Sequence, residues 1–335
     1  MAETPAAVHL TLNGKPAELP GGQSLLAYLQ ARGVDPLRVV AAVNGEIIER
    51  RDWSALLLRE GDRIEVVAVV AGGSGQSAAD ALVIAGVRFQ SRLICGTGKF
   101  PSAAVMAEAL AAAGTELVTV AVRYFDLDLG GRSLLQELDP QRYRLLPNTA
   151  GAYTAQDAVH IAELGRAATG TNWVKLEVIG DPESLWPDVT ATVEATLELV
   201  RRGFVVLPYT APDPVAAMHL EAAGAATVMP LGSPIGSGQG VLDAGAIRRI
   251  VSRVRVPVVV DAGLGSPADA ALAMEAGAAA VLVNTAIAKA ADPVAMAAAM
   301  ALGVKAGRLG YLAGRIPRTD AASPSSAISG VPRLE

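Results

Sequence analysis

The stretch that decides the fold is VPVVVDAGLGSPADAALAMEAGAAAVLVNTAI, residues 256–287. It starts with an apolar run that reaches Asp261, and a loop of small residues follows. Ser266 and Pro267 then give a helix-start signal, because serine caps a first turn and proline is tolerated at the first helical position. The next apolar run lies at 280–287. A strand, a helix and a second strand in this order predict a parallel β-α-β unit.

Units of this kind recur along the chain from residue 82 onward. Apolar runs alternate with alanine-rich helical stretches, and eight such units in about 250 residues match a (β/α)8 barrel. An open doubly wound sheet is the competing architecture, but no Gly-x-Gly-x-x-Gly follows the first strand. We therefore predict an α/β fold with a TIM barrel. Its strands are predicted at 92–98, 117–124, 143–150, 173–180, 204–211, 227–234, 256–263 and 280–287.

Composition argues against several classes of function. The 335 residues have a formal net charge of −5, and the chain lacks the basic stripe that nucleic-acid-binding proteins usually show. Cys95 is the single cysteine, which excludes an intrachain disulfide framework and a multi-cysteine metal site. No apolar stretch of about 20 residues is free of charges and helix breakers, and the N-terminus lacks a signal-peptide pattern. We expect a cytoplasmic protein that binds neither nucleic acid nor membrane.

The N-terminal part follows a different pattern from the barrel. Short alternating runs surround Asn13-Gly14, a two-residue hairpin signal, and Ser24 opens an amphipathic helix. Further strands within 39–48 and 62–70 complete the order β-β-α-β-β-β, which predicts a small sheet packed on one helix. The predicted organisation is a first domain at 1–73, a linker at 74–80, the barrel at 81–320 and a flexible tail at 321–335.

Lys175 and Glu177 stand inside the fourth predicted barrel strand, WVKLEVIG at 173–180. A charge in a central parallel strand is costly unless it is paired or functional. Residues i and i+2 share one face of a strand, so both side chains are expected to point into the barrel. Burial there can remove the charge of the lysine and make it a nucleophilic amine, while the glutamate moves protons. A structural Lys–Glu pair is the competing interpretation.

Other polar and small residues follow the later strands. Asp261 ends the seventh strand, where a carboxylate is placed to act as a second acid or base. A helix cap or a carboxylate that orders the loop is the alternative interpretation. Three small-residue segments, 232–238, 262–265 and Asn284-Thr285, follow strands six, seven and eight. Backbone N–H groups in such loops and at helix N-termini favour an anion, so these segments predict a phosphate site.

Two family resemblances rest on these motifs. Residues 8–73 resemble ThiS, a sulfur carrier of the ubiquitin-like β-grasp class, in the small sheet with one helix and in the strand that runs into Gly72-Gly73. Residues 85–320 resemble ThiG, thiazole synthase, through long motifs in the same order. These motifs are SRLICGTGKFPS (91–102), LLPNTAGAYTAQDAV (145–159), VKLEVIGD (174–181), VLPYT (206–210), SPIGSGQG (233–240), VPVVVDAGLGSPADA (256–270), VLVNTAIA (281–288) and AGRLGYLAGRIP (306–317).

The ThiG resemblance implies a reaction and its residues. Thiazole synthases condense 1-deoxy-D-xylulose 5-phosphate, dehydroglycine and the sulfur of a ThiS thiocarboxylate into the thiazole phosphate carboxylate used for thiamine. The resemblance implies that Lys175 forms an imine with the sugar ketone and that Glu177 and Asp261 transfer protons. It implies no metal or tightly bound organic cofactor, and it suggests a homo-oligomer. The implied phosphate contacts are Gly236, Ala262, Gly263, Asn284 and Thr285.

The ThiS resemblance implies that Gly72 and Gly73 form the sulfur-carrier terminus. A ThiF-like adenylyltransferase, a cysteine desulfurase and a dehydroglycine-producing enzyme are then expected partners. Ser74 departs from the family pattern, because a stand-alone carrier ends at its second glycine and adenylation needs a free carboxylate. We hypothesise that the chain is cut after Gly73. A docking remnant served by a separate ThiS is the alternative.

Two other functions compete with the fusion enzyme. Another Schiff-base barrel, such as an aldolase acting on a sugar phosphate, would share the lysine and the phosphate loops but would not need the first domain. A non-catalytic carrier or scaffold would not need a buried lysine that faces those loops.

Overall fold

A computed structural model describes residues 7–34, 36, 39–68, 80–122, 138–139 and 141–323. Contacts between Cα atoms divide the chain into two compact units, 1–79 and 80–335, and each has its own sheet and hydrophobic core. Nearly all of the predicted linker and most of the predicted tail lie outside the described residues. Within the described ranges, no helix has the length and apolar character needed to cross a bilayer.

The first unit contains, among its described residues, five strands and one α-helix. They are β1 (Ala7–Leu12), β2 (Lys15–Pro20), α1 (Leu25–Ala31), β3 (Val39–Val43), β4 (Glu46–Ile48) and β5 (Arg63–Ala68). The sheet order is β2-β1-β5-β3-β4, with β1 and β5 parallel and the other neighbours antiparallel. The order of elements along the chain is the predicted β-β-α-β-β-β.

Two Asn-Gly turns fix the register of this sheet. Asn13 and Gly14 have φ angles of 50° and 76°, and Asn44 and Gly45 have φ angles of 54° and 88°. Asparagine and glycine enter this left-handed region at the lowest cost, so each pair closes a two-residue hairpin. The first turn joins β1 to β2 and the second joins β3 to β4.

The helix α1 is held by its cap and by its buried face. Ser24 Oγ accepts the N–H of Ala27 at 3.3 Å, and Leu25 and Leu29 are fully buried in a core that includes Ile64. Burial of one leucine side chain contributes about 1.5–3 kcal/mol. A helix of seven residues is unstable alone, so the packing on the sheet maintains it.

The strands of the second unit form a barrel and two short hairpins. They are β6 (Leu82–Ile84), β7 (Val87–Phe89), β8 (Leu93–Gly96), β9 (Leu117–Ala121), β10 (Arg144–Asn148), β11 (Trp173–Leu176), β12 (Ile179–Asp181), β13 (Trp186–Pro187), β14 (Val205–Thr210), β15 (Met229–Pro230), β16 (Val259–Asp261) and β17 (Ala280–Val283). In the part of the chain that the structure describes, eight parallel strands follow the order β15-β14-β11-β10-β9-β8-β17-β16. Bridges from Val228 to Val258 and from Leu231 to Asp261 join the two ends. The sheet is a nearly closed barrel, which confirms the predicted fold.

In the described part of the second unit, helices follow every barrel strand except β9, and two of them follow β17. They are α2 (Ala103–Ala113), α3 (Ala155–Thr169), α4 (Val189–Arg201), α5 (Pro214–Ala222), α6 (Ala244–Val251), α7 (Pro267–Glu275), α8 (Thr285–Ala288) and α9 (Pro293–Ala313). All but α8 begin at a residue whose side-chain oxygen accepts a backbone N–H, namely Ser102, Thr154, Asp188, Asp213, Asp243, Ser266 and Asp292. Each such cap stabilises its helix by about 1 kcal/mol.

The hairpin β12–β13 differs from the sequence prediction of one strand over 173–180. The strand β11 ends at Leu176, and the chain leaves the barrel at Ile179. Thr149 explains the break, because its Oγ1 donates to the carbonyl of Glu177 and accepts the N–H of Glu177, both at 2.8 Å. A side chain thus takes the place of a neighbouring strand. The hairpin β6–β7 before the barrel was not predicted either.

Asp80 joins the start of the second unit to its last helix. The sequence places this residue in the linker, but in the structure it belongs to the second unit. Its carboxylate accepts from Arg92 at 2.9 Å and from Arg308 Nε at 3.1 Å. The hydrogen bond from Arg308 holds the pKa of Asp80 below its ordinary value, although burial opposes this effect.

Candidate active site

Lys175 lies on β11 and points into the barrel. Val174 and Leu176 on either side of it are buried in a cluster with apolar residues of α3 and α4, outside the barrel. Side chains alternate along a strand, so Lys175 faces the opposite way. It lines the interior cavity together with Glu177, and the predicted shared face is therefore present.

Asp261 completes a cluster of three ionisable side chains. Lys175 Nζ lies 2.5 Å from Glu177 Oε1 and 2.8 Å from Asp261 Oδ2, and all three residues are at most 5% exposed. The helix that follows Asp261 is capped by Ser266, so the helix-cap interpretation of Asp261 does not apply. Barrel closure brings this carboxylate to a lysine that is distant in sequence.

The charge of Lys175 differs from the expectation based on burial. Burial disfavours the ammonium, but the adjacent carboxylates of Asp261 and Glu177 outweigh burial and raise the pKa of Lys175 above its ordinary value. The expectation that burial removes the charge is wrong for the free site, because two carboxyl groups face the lysine. Lys175 must lose a proton before it acts as a nucleophile.

Asp261 and Tyr209 are two titratable neighbours of the lysine. Burial raises the pKa of the Asp261 carboxyl, although the Lys175 ammonium opposes this effect. A raised pKa makes this carboxyl a better proton acceptor. The centroid of the Tyr209 ring lies 5.6 Å from Lys175 Nζ, and burial raises the pKa of the phenol, which therefore stays neutral. Tyr209 was not predicted as a site residue.

The cluster lines a cavity of about 720 Å³, which is in the size range of small-molecule sites. The cavity extends from the lysine to the loops that follow β15, β16 and β17. Its wall brings together all eight residues predicted for the barrel site, which are Lys175, Glu177, Gly236, Asp261, Ala262, Gly263, Asn284 and Thr285.

The loops after β15 and β16 are in direct contact. Ala262 and Gly263 have φ angles of 75° and 78°, and a Cβ on Gly263 would lie 1.9 Å from Ser233 Oγ. Gly232 N–H donates to the carbonyl of Ala262 at 3.2 Å, and Gly240 N–H donates to that of Gly263 at 2.8 Å. Only glycine fits at position 263. The two loops therefore pack backbone against backbone and form one wall of the cavity.

At the start of α7, the backbone N–H groups of Gly265, Ser266 and Asp269 are already bonded. Asp269 Oδ2 accepts the N–H groups of Gly265 at 3.0 Å and Ser266 at 2.9 Å, and Pro267 has no N–H. Ser266 Oγ accepts the N–H of Asp269 at 3.3 Å, which completes a capping box. The start of α7 therefore offers fewer backbone donors to an anion than its sequence predicts.

Asn284 and Lys99 both line the end of the cavity formed by β8 and β17. A Cβ on Gly96 would lie 2.6 Å from Asn284 Cβ, and Asn284 Oδ1 is buried with no hydrogen-bond partner among the described residues. Lys99 Nζ lies 3.4 Å from Thr285 Oγ1. Lys99 was not predicted as a site residue. The available signal was its place directly after the small residues 96–98, at a strand end.

Two other features of the sequence that could carry chemistry are the Gly-Gly pair and the single cysteine. The predicted sulfur-carrier terminus, Gly72 and Gly73, lies outside the described residues. Burial raises the pKa of Cys95 to about 12, so its thiol stays protonated at neutral pH and is a poor nucleophile. Where the structure describes the chain, no three His, Cys, Asp or Glu side chains converge in an arrangement that would hold a metal ion.

Comparisons with known proteins match both units. The family model for "Thiazole biosynthesis protein ThiG" matches residues 83–327, and the model for the "ThiS family" matches residues 10–73. A thiazole synthase of Paramagnetospirillum magneticum is 46% identical over 323 residues, which cover 96% of this chain and 99% of that protein. A thiazole synthase of Myxococcus xanthus is 56% identical over 249 residues, which cover 74% of this chain and 95% of that protein. The structure of the Amycolatopsis orientalis BexX/CysO complex matches with a TM-score of 0.65 and 36% identity, over 72% of this chain and 98% of the matched chain.

Proposed function

We propose a lysine-imine mechanism for this chain, which belongs to the thiazole biosynthesis protein ThiG family and carries a ThiS family domain before its barrel. The chain is a thiazole synthase of thiamine biosynthesis. Its proposed substrates are 1-deoxy-D-xylulose 5-phosphate, dehydroglycine and a carrier thiocarboxylate. The observation that carries the proposal is the buried lysine between two carboxyl groups on the wall of the cavity.

Imine formation starts with a proton transfer from Lys175. Asp261 is the preferred acceptor, because its carboxyl lies 2.8 Å from Nζ and burial raises its pKa. The free amine attacks the ketone carbon of the sugar phosphate, and the ketone oxygen leaves as water after it takes up protons from the site. Overall, the ammonium and the ketone give a protonated imine and one water.

Migration of the carbonyl group uses the second carboxylate. A protonated imine withdraws electrons from the neighbouring C–H bond and makes that hydrogen acidic. Glu177 Oε1 lies 2.5 Å from Nζ and is positioned to remove this proton. A proton then returns at the former ketone carbon, so the carbonyl moves one carbon along the chain without a net change in protons.

Substrate positioning is assigned to the far end of the cavity. We propose that Gly236, Ala262, Gly263, Asn284 and Thr285 hold the phosphate end of the sugar. Their common position on one cavity wall supports this role. Asn284 Oδ1 has no hydrogen-bond partner in the described chain, and a substrate hydroxyl group would provide one.

Sulfur delivery is assigned to the first unit. We propose that Gly72-Gly73 carries the sulfur as a thiocarboxylate, because bare glycine backbone enters a narrow site that side chains would block. A ThiF-like adenylyltransferase and a cysteine desulfurase would load the carrier, and another enzyme would supply dehydroglycine. A homo-oligomer is the expected assembly. The match to a thiazole synthase over 96% of the chain favours this function over an aldolase-like one.

The test is borohydride trapping with 1-deoxy-D-xylulose 5-phosphate, read by intact mass and peptide mapping. We expect one reduced adduct, located on Lys175, and no adduct in the Lys175→Arg variant. The exposed Lys289 serves as an internal control in the same peptide map. A folded wild-type protein that forms no adduct on Lys175 would overturn the mechanism.

A further inference from the structure

A phosphate ester in the cavity would be bound more tightly beside a free cation, and the lysine cluster does not provide one. Among the described residues that line the cavity, the charged types are Lys99, Lys175, Glu177 and Asp261. The ammonium of Lys175 lies between two carboxyl groups, so this cluster offers no net positive charge. The proposed phosphate contacts are all uncharged residues. A phosphate monoester carries close to two negative charges at neutral pH, and backbone N–H groups supply only partial positive charges, so a full cation beside these loops would strengthen its binding.

Lys99 is placed to be that cation. Its Nζ lies 3.4 Å from Thr285 Oγ1 and 3.9 Å from the position that a Cβ would take on Gly236. The ammonium therefore stands between two of the loops assigned to the phosphate. In the part of the chain that the structure describes, Lys99 forms no ion pair, so its charge is available to a ligand.

The backbone at Lys99 is a second, independent observation. Its φ angle is 71°, a left-handed conformation in which glycine or asparagine is favoured and a long side chain is rare. Strained residues of this kind cluster at active sites and ligand-binding loops. A loop that served only to connect β8 with α2 would be better formed with glycine at this position.

We infer that Lys99 is the specificity residue for the phosphate of the sugar substrate, which it binds as a counter-ion between Gly236 and Thr285. This inference rests on the proposed function, because it assumes that a phosphorylated ketose enters the cavity. A lysine ammonium donates charge-assisted hydrogen bonds to phosphate oxygens and makes no contact with the reacting carbon. Lys99 therefore controls which sugar binds, and leaves the imine step to Lys175.

The test compares a phosphorylated and an unphosphorylated sugar on the full chain. Borohydride trapping at Lys175 is measured against concentration for 1-deoxy-D-xylulose 5-phosphate and for 1-deoxy-D-xylulose. Lys99→Gln should raise the half-saturating concentration of the phosphorylated sugar by about 10- to 100-fold, the range for loss of a hydrogen bond to a charged group. The half-saturating concentration of the unphosphorylated sugar should not change. Lys99→Arg should keep most of the preference.

Two further variants separate recognition from folding. Lys99→Gly removes the charge and relieves the left-handed backbone, so its Tm should equal or exceed that of the wild type while the preference for phosphate is lost. Lys305→Gln removes the same charge from an exposed position on α9, outside the cavity. It should leave the half-saturating concentrations of both sugars unchanged.

The preference of Lys99→Gln for the phosphorylated sugar decides the role of Lys99. Wild-type preference in Lys99→Gln, or an equal loss for both sugars together with a lower Tm, would overturn it. A wild type that traps neither sugar would contradict the imine mechanism instead. Inorganic phosphate then provides a separate readout, because it should raise the Tm of the wild type more than that of Lys99→Gln. Equal shifts in Tm would overturn the role of Lys99 without reference to the imine.

Discussion

At the scale of single residues, the charge of Lys175 is set by its neighbours more than by its burial. The carboxylates of Glu177 and Asp261 raise the pKa of the lysine although its surroundings exclude water. Such a site stores the amine in its protonated form and keeps a proton acceptor within 2.8 Å. The same arrangement that makes the free lysine unreactive also supplies the groups that deprotonate it.

This balance predicts the effect of Asp261→Asn. Loss of one carboxylate removes a group that favours the ammonium, so the pKa of Lys175 should fall. Modification of Lys175 by a small acylating reagent should therefore begin at lower pH than in the wild type. Turnover should decrease by about 100-fold or more, because an acid-base group is lost. The measurement is the extent of acylation against pH by peptide mapping.

Lys289 provides the control for that experiment, since its exposed amine should titrate alike in both proteins. An unchanged or higher pH midpoint for Lys175 in the variant would contradict the assignment of Asp261 as the partner of the ammonium.

At the scale of elements, the contact between the end of β8 and Asn284 should be sensitive to one methyl group. A Cβ on Gly96 would lie 2.6 Å from Asn284 Cβ, whereas one on Gly98 would lie 3.5 Å from Asn284 Nδ2, an ordinary contact. Gly96→Ala should therefore destabilise the fold by about 1–3 kcal/mol and shift Asn284 away from the cavity. Gly98→Ala is the matched control and should remain close to the wild type. Urea unfolding and the KM for the sugar phosphate measure both effects, and equal behaviour of the two variants would refute the prediction.

The ion cluster at Asp80 predicts a pH-dependent contribution to stability. Hydrogen bonds from Arg308 and Arg92 hold the pKa of Asp80 below its ordinary value. The stabilisation is thus present above the ordinary carboxyl pKa and is lost as pH falls through the lowered value. Asp80→Asn should cost about 3 kcal/mol at pH 7, because two partly buried guanidinium groups lose their partner.

The check is the difference in unfolding free energy between wild type and Asp80→Asn, which should shrink as the pH is lowered. Asp320→Asn, at an exposed position, should leave stability unchanged at every pH. A difference that stays constant down to acid pH would show that the charge of Asp80 does not act in this way.

The strands and helices also show which structural features can be predicted from the sequence. Buried runs such as 280–283 predict their strands, because a parallel strand covered on both faces must be apolar. The break after Leu176 was missed, since it depends on a hydrogen-bonding side chain from another strand, Thr149. The capping box of Ser266 and Asp269 was readable from its spacing, and it explains why α7 offers few free donors to an anion.

The site itself was predictable in its residues and not in its electrostatics. Alternation along one strand predicts that Lys175 and Glu177 share a face. The pKa of Lys175 depends in addition on Asp261, whose distance from the amine is fixed only by barrel closure. Lys99 was missed because a lysine at a strand end is common, and its left-handed backbone is visible only in the structure.

At the scale of the whole molecule, one chain combines a ThiS family domain and a thiazole synthase barrel. Each unit has its own core, so the first does not depend on the second for burial of its helix. A covalent connection keeps the two in equal amounts and raises their effective concentration for each other. The sequence after the glycines creates a chemical problem for this arrangement, because Ser74 turns the carbonyl of Gly73 into an internal amide.

We therefore expect that only a chain cut after Gly73 accepts sulfur. An adenylyltransferase activates a free carboxylate, and an internal amide has no oxygen that it can adenylate. Intact mass spectrometry of the purified chain, before and after incubation with a ThiF-like enzyme, ATP and a sulfur donor, should show exchange of oxygen for sulfur on the fragment that ends at Gly73. The uncut chain should keep its mass. Product formation by an uncut chain with a separate ThiS thiocarboxylate would instead identify the first unit as a docking remnant, and sulfur found at Gly73 of an uncut chain would exclude cleavage as a requirement.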